Sequence, residues 1–354
     1  MVDSRTLRSG WTTGACATAA ASAAWAALCG RGFPDPVTIT LPRGESVAFA
    51  LAESGFVGAR AFAAVVKDAG DDPDVTHGAL IRATLTRLPP GNGIVFRAGE
   101  GVGMVTRPGL PIPPGEPAIN PVPRQMIRAA LGDADVEVEI AIPGGAELAR
   151  HTLNGRLGIV GGLSVLGTTG VVIPFSCAAW IDTIHRGIDV ARALGLDHVA
   201  GATGRASEEA VQALHALPET ALIDMGDFVG GMLKYLRTHP VPRVTIAGGI
   251  GKMVKLAQGR LDLHSKRGSV DLSALAKLAA ACGASGDVQA RIIASNTAAE
   301  ALEHASGLAL GDAIAEGAWR VAADVLGTAA IQLDTLVFDR GGALLGRHER
   351  NLRR

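Results

Sequence analysis

Residues 158–170 run Gly158, Ile159, Val160, Gly161, Gly162, Leu163, Ser164, Val165, Leu166, Gly167, Thr168, Thr169, Gly170, a β-branched stretch entering a turn rich in glycine and hydroxyl groups. Such a turn can set peptide N–H groups against a nucleotide or a carboxylate. A tight structural turn explains the same residues, and the spacing fails the G-x-G-x-x-G fingerprint of dinucleotide sites. A second cluster is Gly248, Gly249, Ile250, Gly251 and Lys252. It departs from a triphosphate-binding loop, since Ile246 stands where the first glycine belongs and Met253 replaces the magnesium-binding hydroxyl. Asp224, Met225, Gly226, Asp227 and Phe228 form a third, whose carboxylates could receive ribose hydroxyls. As strand ends of a parallel sheet, the last two sit where ligands usually bind, although each also reads as a plain turn.

Two polar segments add charge. His264, Ser265, Lys266 and Arg267 join an imidazole, a hydroxyl and two cations in one short stretch, or else form a solvated loop. Asp68, Asp71, Asp72 and Asp74 gather around Gly70 and Pro73. They could attract a sulfonium or order a nearby arginine, or simply make an acidic surface turn. The nine histidines show no HExxH spacing and the serines no G-x-S-x-G elbow. Cys16, Cys29, Cys177 and Cys282 lie far apart with no CxxC. Hydrolase and metalloenzyme readings lose ground, and no protein-bound metal is expected.

The elements that must hold these residues fall into two groups. Thr12 and Thr13 cap a helix reaching Leu28, which Gly30 and Gly32 stop. Strand-like runs follow at 37–41, 46–51, 61–67, 79–88 and 94–98, then a helix opened by Asn120 and Pro121 and a strand at 136–142, which suggests an antiparallel sheet beside few helices. Beyond Pro143 the rhythm changes: strand pieces at 159–161, 199–201, 221–225 and 244–247 alternate with helices after Ser176, Arg205, Asp227 and Gly251, as in a parallel sheet. Helices at 272–281, 297–305 and 312–326 and a hairpin through 331–338 complete the chain. The expected domains are therefore 1–150, α+β, and 151–354, α/β with C-terminal helices and a hairpin.

Composition agrees. A chain of 354 residues accommodates two domains at roughly 100–200 residues each. Hydrophobic residues make up 48% and aromatics only 4%, so the core must be built from Ala, Val, Leu and Ile at close backbone approach. A net charge of −1 counts against broad nucleic-acid binding, and no apolar run nears the roughly 20 residues that cross a bilayer. Asp3, Arg5 and Arg8, followed by an alanine-rich stretch containing threonine and serine, do not read as a signal peptide. With reduced thiols, this leads us to expect a cytoplasmic protein.

Many of these segments together resemble one family, the cobalt-precorrin-5B C1-methyltransferases or CbiD family. The likeness runs through residues 7–17, 66–78, 101–103, 109–110, 117–124, 154–170, 248–252, 264–266 and 296–298. Trp11 stands where Tyr is expected, and Gly155 interrupts what is often Asn-Pro. The resemblance implies an α+β domain followed by a Rossmann-like three-layer domain with a mostly parallel sheet. It also implies S-adenosylmethionine as methyl donor, and C1 of cobalt-precorrin-5B or its metal-free equivalent as acceptor, giving cobalt-precorrin-6A in corrin ring biosynthesis.

On that basis the donor is expected across Gly161, Gly162, Ser164, Gly167, Thr168, Thr169 and Gly170 and the strand ends at Asp224, Gly226, Phe228, Gly249 and Gly251. The acceptor's acetates and propionates are expected at Arg8, Arg124, Lys252, Lys266 and Arg267, with Thr12, Thr13, Asn120, Asp68, Asp71 and Asp72 beside them. The acidic segment is expected to face an inter-domain cleft. His264 and Ser265 are the catalytic candidates, His264 for any proton movement. The partner is a small tetrapyrrole, with or without cobalt; nucleic acid and membrane are not expected, and homo-oligomerisation stays open. Two other readings are a nicotinamide-dependent tetrapyrrole reductase and a non-catalytic tetrapyrrole carrier. Thermal-shift titration with S-adenosylhomocysteine and NADPH separates the reductase from the methyltransferase, and tetrapyrrole binding without donor binding would favour the carrier.

Overall fold

The computed structural model describes residues 7–351, so Asp3 and Arg5 lie outside the described residues. The chain divides into two compact units, 1–177 and 178–354. Among the described residues no helix is long and apolar enough to cross a membrane.

The first unit holds β1 (Gly10–Trp11), α1 (Thr13–Leu28), β2 (Val37–Thr40), β3 (Ser46–Phe49), β4 (Glu53–Val57), β5 (Arg60–Val66), β6 (Leu80–Arg87), β7 (Ile94–Ala98), β8 (Met104–Val105), α2 (Pro121–Leu131), β9 (Val136–Ala141), α3 (Gly145–Ala149), β10 (Ile159–Val160) and β11 (Val171–Val172). Its main sheet has the order β4-β5-β6-β9-β7, antiparallel except where β7 runs parallel to β9. Alternation sets one face: Ile81, Ala83 and Leu85 of β6 and Val136, Val138 and Ile140 of β9 are fully buried in the core they share with α1. Thr12 caps α1, its Oγ1 accepting from the Ala15 N–H at 3.2 Å. The helix is buried on nearly every side, and its methyl-only side chains are what let sheet and α2 approach it so closely.

The expected boundary near 150 moves to 177. Residues 159–161, read as the first strand of the parallel sheet, pair antiparallel with β8 instead, and β11 pairs with β1. Leu163 and Val165 bridge to Val102 and Ile119. Backbone pairing therefore ties 151–176 into the first unit.

The second unit contains α4 (Cys177–Ala193, beginning at the boundary), β12 (His198–Ala202), α5 (Arg205–His215), β13 (Leu222–Asp224), α6 (Val229–Thr238), β14 (Arg243–Gly249), α7 (Ile250–Ala257), α8 (Leu272–Ala281), α9 (Gly286–Ala294), α10 (Ala298–His304), α11 (Leu310–Leu326), β15 (Gln332–Phe338) and β16 (Leu344–Asn351). The sheet order is β13-β12-β14-β15-β16, parallel except for the β15–β16 hairpin. Val199, Val244, Ile246, Leu333 and Val337 pack with α4, α6, α7 and α11, whereas Ala200, Ala247, Leu336 and Phe338 pack with Val211 of α5. Apolar residues on both faces mark a sheet covered on both sides. From β12 the chain crosses outward to β13 and later returns to β14 on the other side of β12. The carboxyl ends of β12 and β14 thus border a topological switch point, where such sheets open a crevice.

Candidate active site

Three turns meet at this edge of the second unit. Thr203 and Gly204 follow β12, residues 225–228 follow β13, and Gly249 leads from β14 into α7. Lys252, in the first turn of α7, donates from Nζ to the Thr203 carbonyl at 2.7 Å and pairs with Asp227 Oδ1 at 3.2 Å. One ammonium thereby fastens the ends of three strands. Trp180 of α4 donates from its indole N–H to the Asp224 carbonyl at 3.1 Å, and its ring stands 6.4 Å from that of Phe228. An added Cβ at Gly226 would lie 3.3 Å from the indole, so the turn is already covered by an aromatic plane.

The glycines here are of two kinds. A Cβ at Gly248 would meet Met253 Sδ at 2.8 Å and Thr203 Cγ2 at 2.9 Å, so packing explains that residue. At Gly204, Gly249 and Gly251 a Cβ would meet nothing within 4 Å. Their backbones are ordinary too: Gly249 has φ −67° and ψ 151°, Gly204 is extended and Gly251 is helical. Neither space nor conformation inside the chain demands glycine at these three positions. Gly204 and Gly249 serve as the N-caps of α5 and α7, a position glycine favours, and the open space beside all three glycines leaves room for a ligand against the backbone. The first N–H groups of α7, which no side chain caps, point to the same place.

The polar segment after α7 is anchored to this edge. Leu263 N–H donates to the Asp227 carbonyl and Gly230 N–H to that of Leu261, both at 2.9 Å. His264, Ser265, Lys266 and Arg267 follow, all exposed, with His264 Nδ1 accepting from the Lys266 N–H at 3.2 Å and Arg267 pairing with Asp262 at 3.3 Å. Thr203, Gly204 and Trp180 join the site without any sequence motif to announce them; a glycine two residues past a strand was the one available signal.

The turn 161–170 lies in the first unit. The single sheet edge expected to carry it together with 224–228 does not exist, because the two segments belong to different units. Chain crossings account for several of its glycines. A Cβ at Gly162 would lie 2.2 Å from the Gly101 carbonyl oxygen, one at Gly167 would strike Thr12, and one at Gly170 would strike Leu41. Asn154 binds the turn as well, donating from Nδ2 to the Gly162 carbonyl at 3.2 Å, with Ser164 Oγ 3.5 Å from its Oδ1. Thr169 Oγ1 donates to the Val171 carbonyl at 3.1 Å, and Thr168 stands beside it in the same turn.

The remaining anchors expected in the first unit are engaged in holding it together. Arg8 forms a two-pronged pair with Asp68, and its N–H donates to Asp71 at 2.7 Å. Asp72 accepts from the Phe175 N–H at 2.8 Å, while Asp74 binds Lys67, which is 1% exposed, at 2.6 Å. The acidic segment is therefore a knot joining strand ends. Thr12 and Thr13 are buried at the start of α1, and Asn120 N–H donates to the Val165 carbonyl. Arg124 donates from Nε to the Ile119 carbonyl and from Nη2 to the Pro117 carbonyl and Glu116.

The hydrogen bond from Arg8 holds the Asp68 carboxyl down at about 2, below its ordinary 3.8. A depressed carboxyl stabilises the fold above its unfolded value and loses that contribution as pH falls through the folded one. The stability difference between the parent and Asp68→Asn should hence be constant above pH 5 and shrink between about pH 4 and 2. It should be small, since the pair is exposed. Melting curves across that range check this, and a difference independent of pH would contradict it.

Comparison with known proteins places the chain. The CbiD family model matches residues 1–174, and the model described as the CbiD C-terminal domain matches residues 262–349. The cobalt-precorrin-5B C(1)-methyltransferase of Agrobacterium fabrum is 63% identical, covering 98% of this chain and 94% of its own. That of a Bradyrhizobium strain is 61% identical, covering 97% and 94%. The crystal structure of a cobalamin biosynthesis protein, CbiD, from Archaeoglobus fulgidus is 29% identical, covering 74% of this chain and 83% of that one, with a TM-score of 0.41. The chain belongs to the CbiD family.

Proposed function

We propose that this protein is an S-adenosylmethionine-dependent methyltransferase that methylates C1 of cobalt-precorrin-5B in corrin ring assembly. The observation that carries the reading is identity above 60%, along nearly the whole chain, to relatives named for that reaction. The strand order and the helices on both faces of the second sheet support a Rossmann-like, three-layer reading of that unit. The open glycines Gly204, Gly249 and Gly251 fit a donor lying across the switch point, with Asp224 and Asp227 at hand for ribose hydroxyls. A biosynthetic enzyme of this kind works in the cytoplasm.

The donor brings an activated sulfonium methyl, whose transfer to carbon leaves a neutral thioether. The electron-rich macrocycle supplies the carbon nucleophile, so the chain's own residues chiefly align. Fixing two reactants in line contributes roughly 7–11 kcal/mol. Lys252 holds Asp227 and the Thr203 carbonyl in place, Trp180 and Phe228 wall the Gly226 turn, and Lys266 and Arg267 offer cations to the acceptor's carboxylates. His264 offers an exposed imidazole for any proton movement on the macrocycle.

Reaction of a precorrin-5-type substrate with methyl-labelled donor, followed by NMR of the product, tests the reading: label at C1 is expected, and label elsewhere, or none, overturns it. His264→Ala should lower kcat about a hundredfold with little change in KM. Lys266→Ala should raise acceptor KM roughly tenfold, the worth of one charge-assisted hydrogen bond. Unaltered kinetics in both would remove this segment from the site.

A further inference from the structure

The opposite edge of the second sheet carries a separate cluster. His198 is the first residue of β12, His215 the last of α5, and Asp334 the third of β15. One ligand-capable atom from each lies within 4.8 Å of the other two. Asp334 is 2% exposed. Its Oδ2 is taken, accepting from Arg243 Nε at 2.7 Å and Thr245 Oγ1 at 3.2 Å, with Arg243 Nη2 at 2.6 Å. Its Oδ1 and His215 Nε2 are buried with no hydrogen-bond partner. Leaving such atoms unpaired costs roughly 1–3 kcal/mol each, so two in one cluster call for an occupant.

We infer that His198, His215 and Asp334 bind one divalent transition-metal ion of the zinc class. Two imidazoles and one carboxylate are the donor set such ions favour, whereas magnesium and calcium take all-oxygen sets. Bonds of about 2.0–2.2 Å to a tetrahedral ion bring donor atoms roughly 3.3 Å apart, so the rings must close slightly on the metal. A water completes the fourth position. Thr245 Oγ1 lies 2.8 Å from His198 Nε2 and 3.2 Å from Asp334 Oδ2, so it brings that imidazole beside the carboxylate. Among the described residues, Arg243 is the cation that pairs with Asp334; it occupies Oδ2 and is itself approached by Glu349 at 3.8 Å, which tempers its repulsion of a metal. The ion would tie the end of α5 to two strands. This departs from the expectation of no bound metal, which rested on sequence spacing: the three ligands are 17 and 119 positions apart.

The test is calorimetric titration of the chelator-treated full chain with zinc, with melting temperature read in parallel. Saturable binding of one ion per chain and a raised melting temperature are expected, both reduced at least tenfold in affinity or abolished by His215→Ala. Asp334→Asn would strand Arg243 and could fail to fold, so His198→Ala is the second variant. S-adenosylhomocysteine binding should be unchanged in His215→Ala, since β12 separates this edge from Gly204 by about 15 Å. Absence of saturable binding, equal binding of magnesium, or zinc binding that survives both histidine variants would overturn the assignment.

Discussion

Gly249→Val should abolish measurable binding of S-adenosylhomocysteine, a loss of more than about a thousandfold or ~4 kcal/mol, while leaving the melting temperature within a few degrees of the parent. Both halves follow from one observation. The position has a β-region backbone that valine adopts readily, and its Cβ would point into open space, so the fold has no objection to the side chain. The space it fills is the space assigned to the donor, beside the first N–H groups of α7. Calorimetry on the folded variant decides the matter. A variant that binds as the parent does would remove the donor from this edge, and one that unfolds would show that the backbone there is more constrained than its dihedrals indicate.

Gly162→Ala should do the reverse. Its Cβ would sit 2.2 Å from the carbonyl oxygen and 2.3 Å from the carbonyl carbon of Gly101, a backbone contact with no flexible side chain to yield. Gly101 cannot retreat, because its own Cβ position is filled by the Ile142 carbonyl and its φ is +71°. We expect a loss of about 3–5 kcal/mol, a large share of the roughly 5–15 kcal/mol that holds a domain. Gly161→Ala, at φ +87° with open space around it, should cost only about 1–2 kcal/mol. Denaturant unfolding of the two single variants gives the comparison. Equal stabilities would mean that the 101–162 crossing relaxes freely.

These neighbouring outcomes show what sequence could and could not reveal. Glycine needed for one chain to pass another and glycine needed for a ligand are the same letter, so the 161–170 turn and the 248–252 turn looked alike. Placing each Cβ among its neighbours sorts them residue by residue: the spaces at Gly162, Gly167, Gly170 and Gly248 are filled by the chain itself, and those at Gly161, Gly249 and Gly251 are open. Elements with strong local signals were legible: the Thr12-capped alanine helix, the Asn120–Pro121 helix start and the final hairpin. β4 was missed because Glu53, Ser54 and Gly55 are poor strand formers, and it exists as an edge strand through pairing with β5. α9 was missed between two helices that carried clearer patterns. The boundary shifted for a related reason, since local patterning cannot show that residues 159–172 close the first unit through partners far earlier in the chain.

That closure bears on how the chain is made. Gly10 pairs with Val172, so the first strand of the unit waits for the last, and Ile159 must be present before Val105 finds its partner. At about 5–20 residues per second on the ribosome, the about 160 residues between β1 and β11 correspond to roughly 8–30 s during which β1 has emerged without β11. Nascent chains of this protein should accordingly depend on chaperone shelter until residue 172 is clear of the exit tunnel, and a fragment cut near 150 should remain a chaperone client however long it is given.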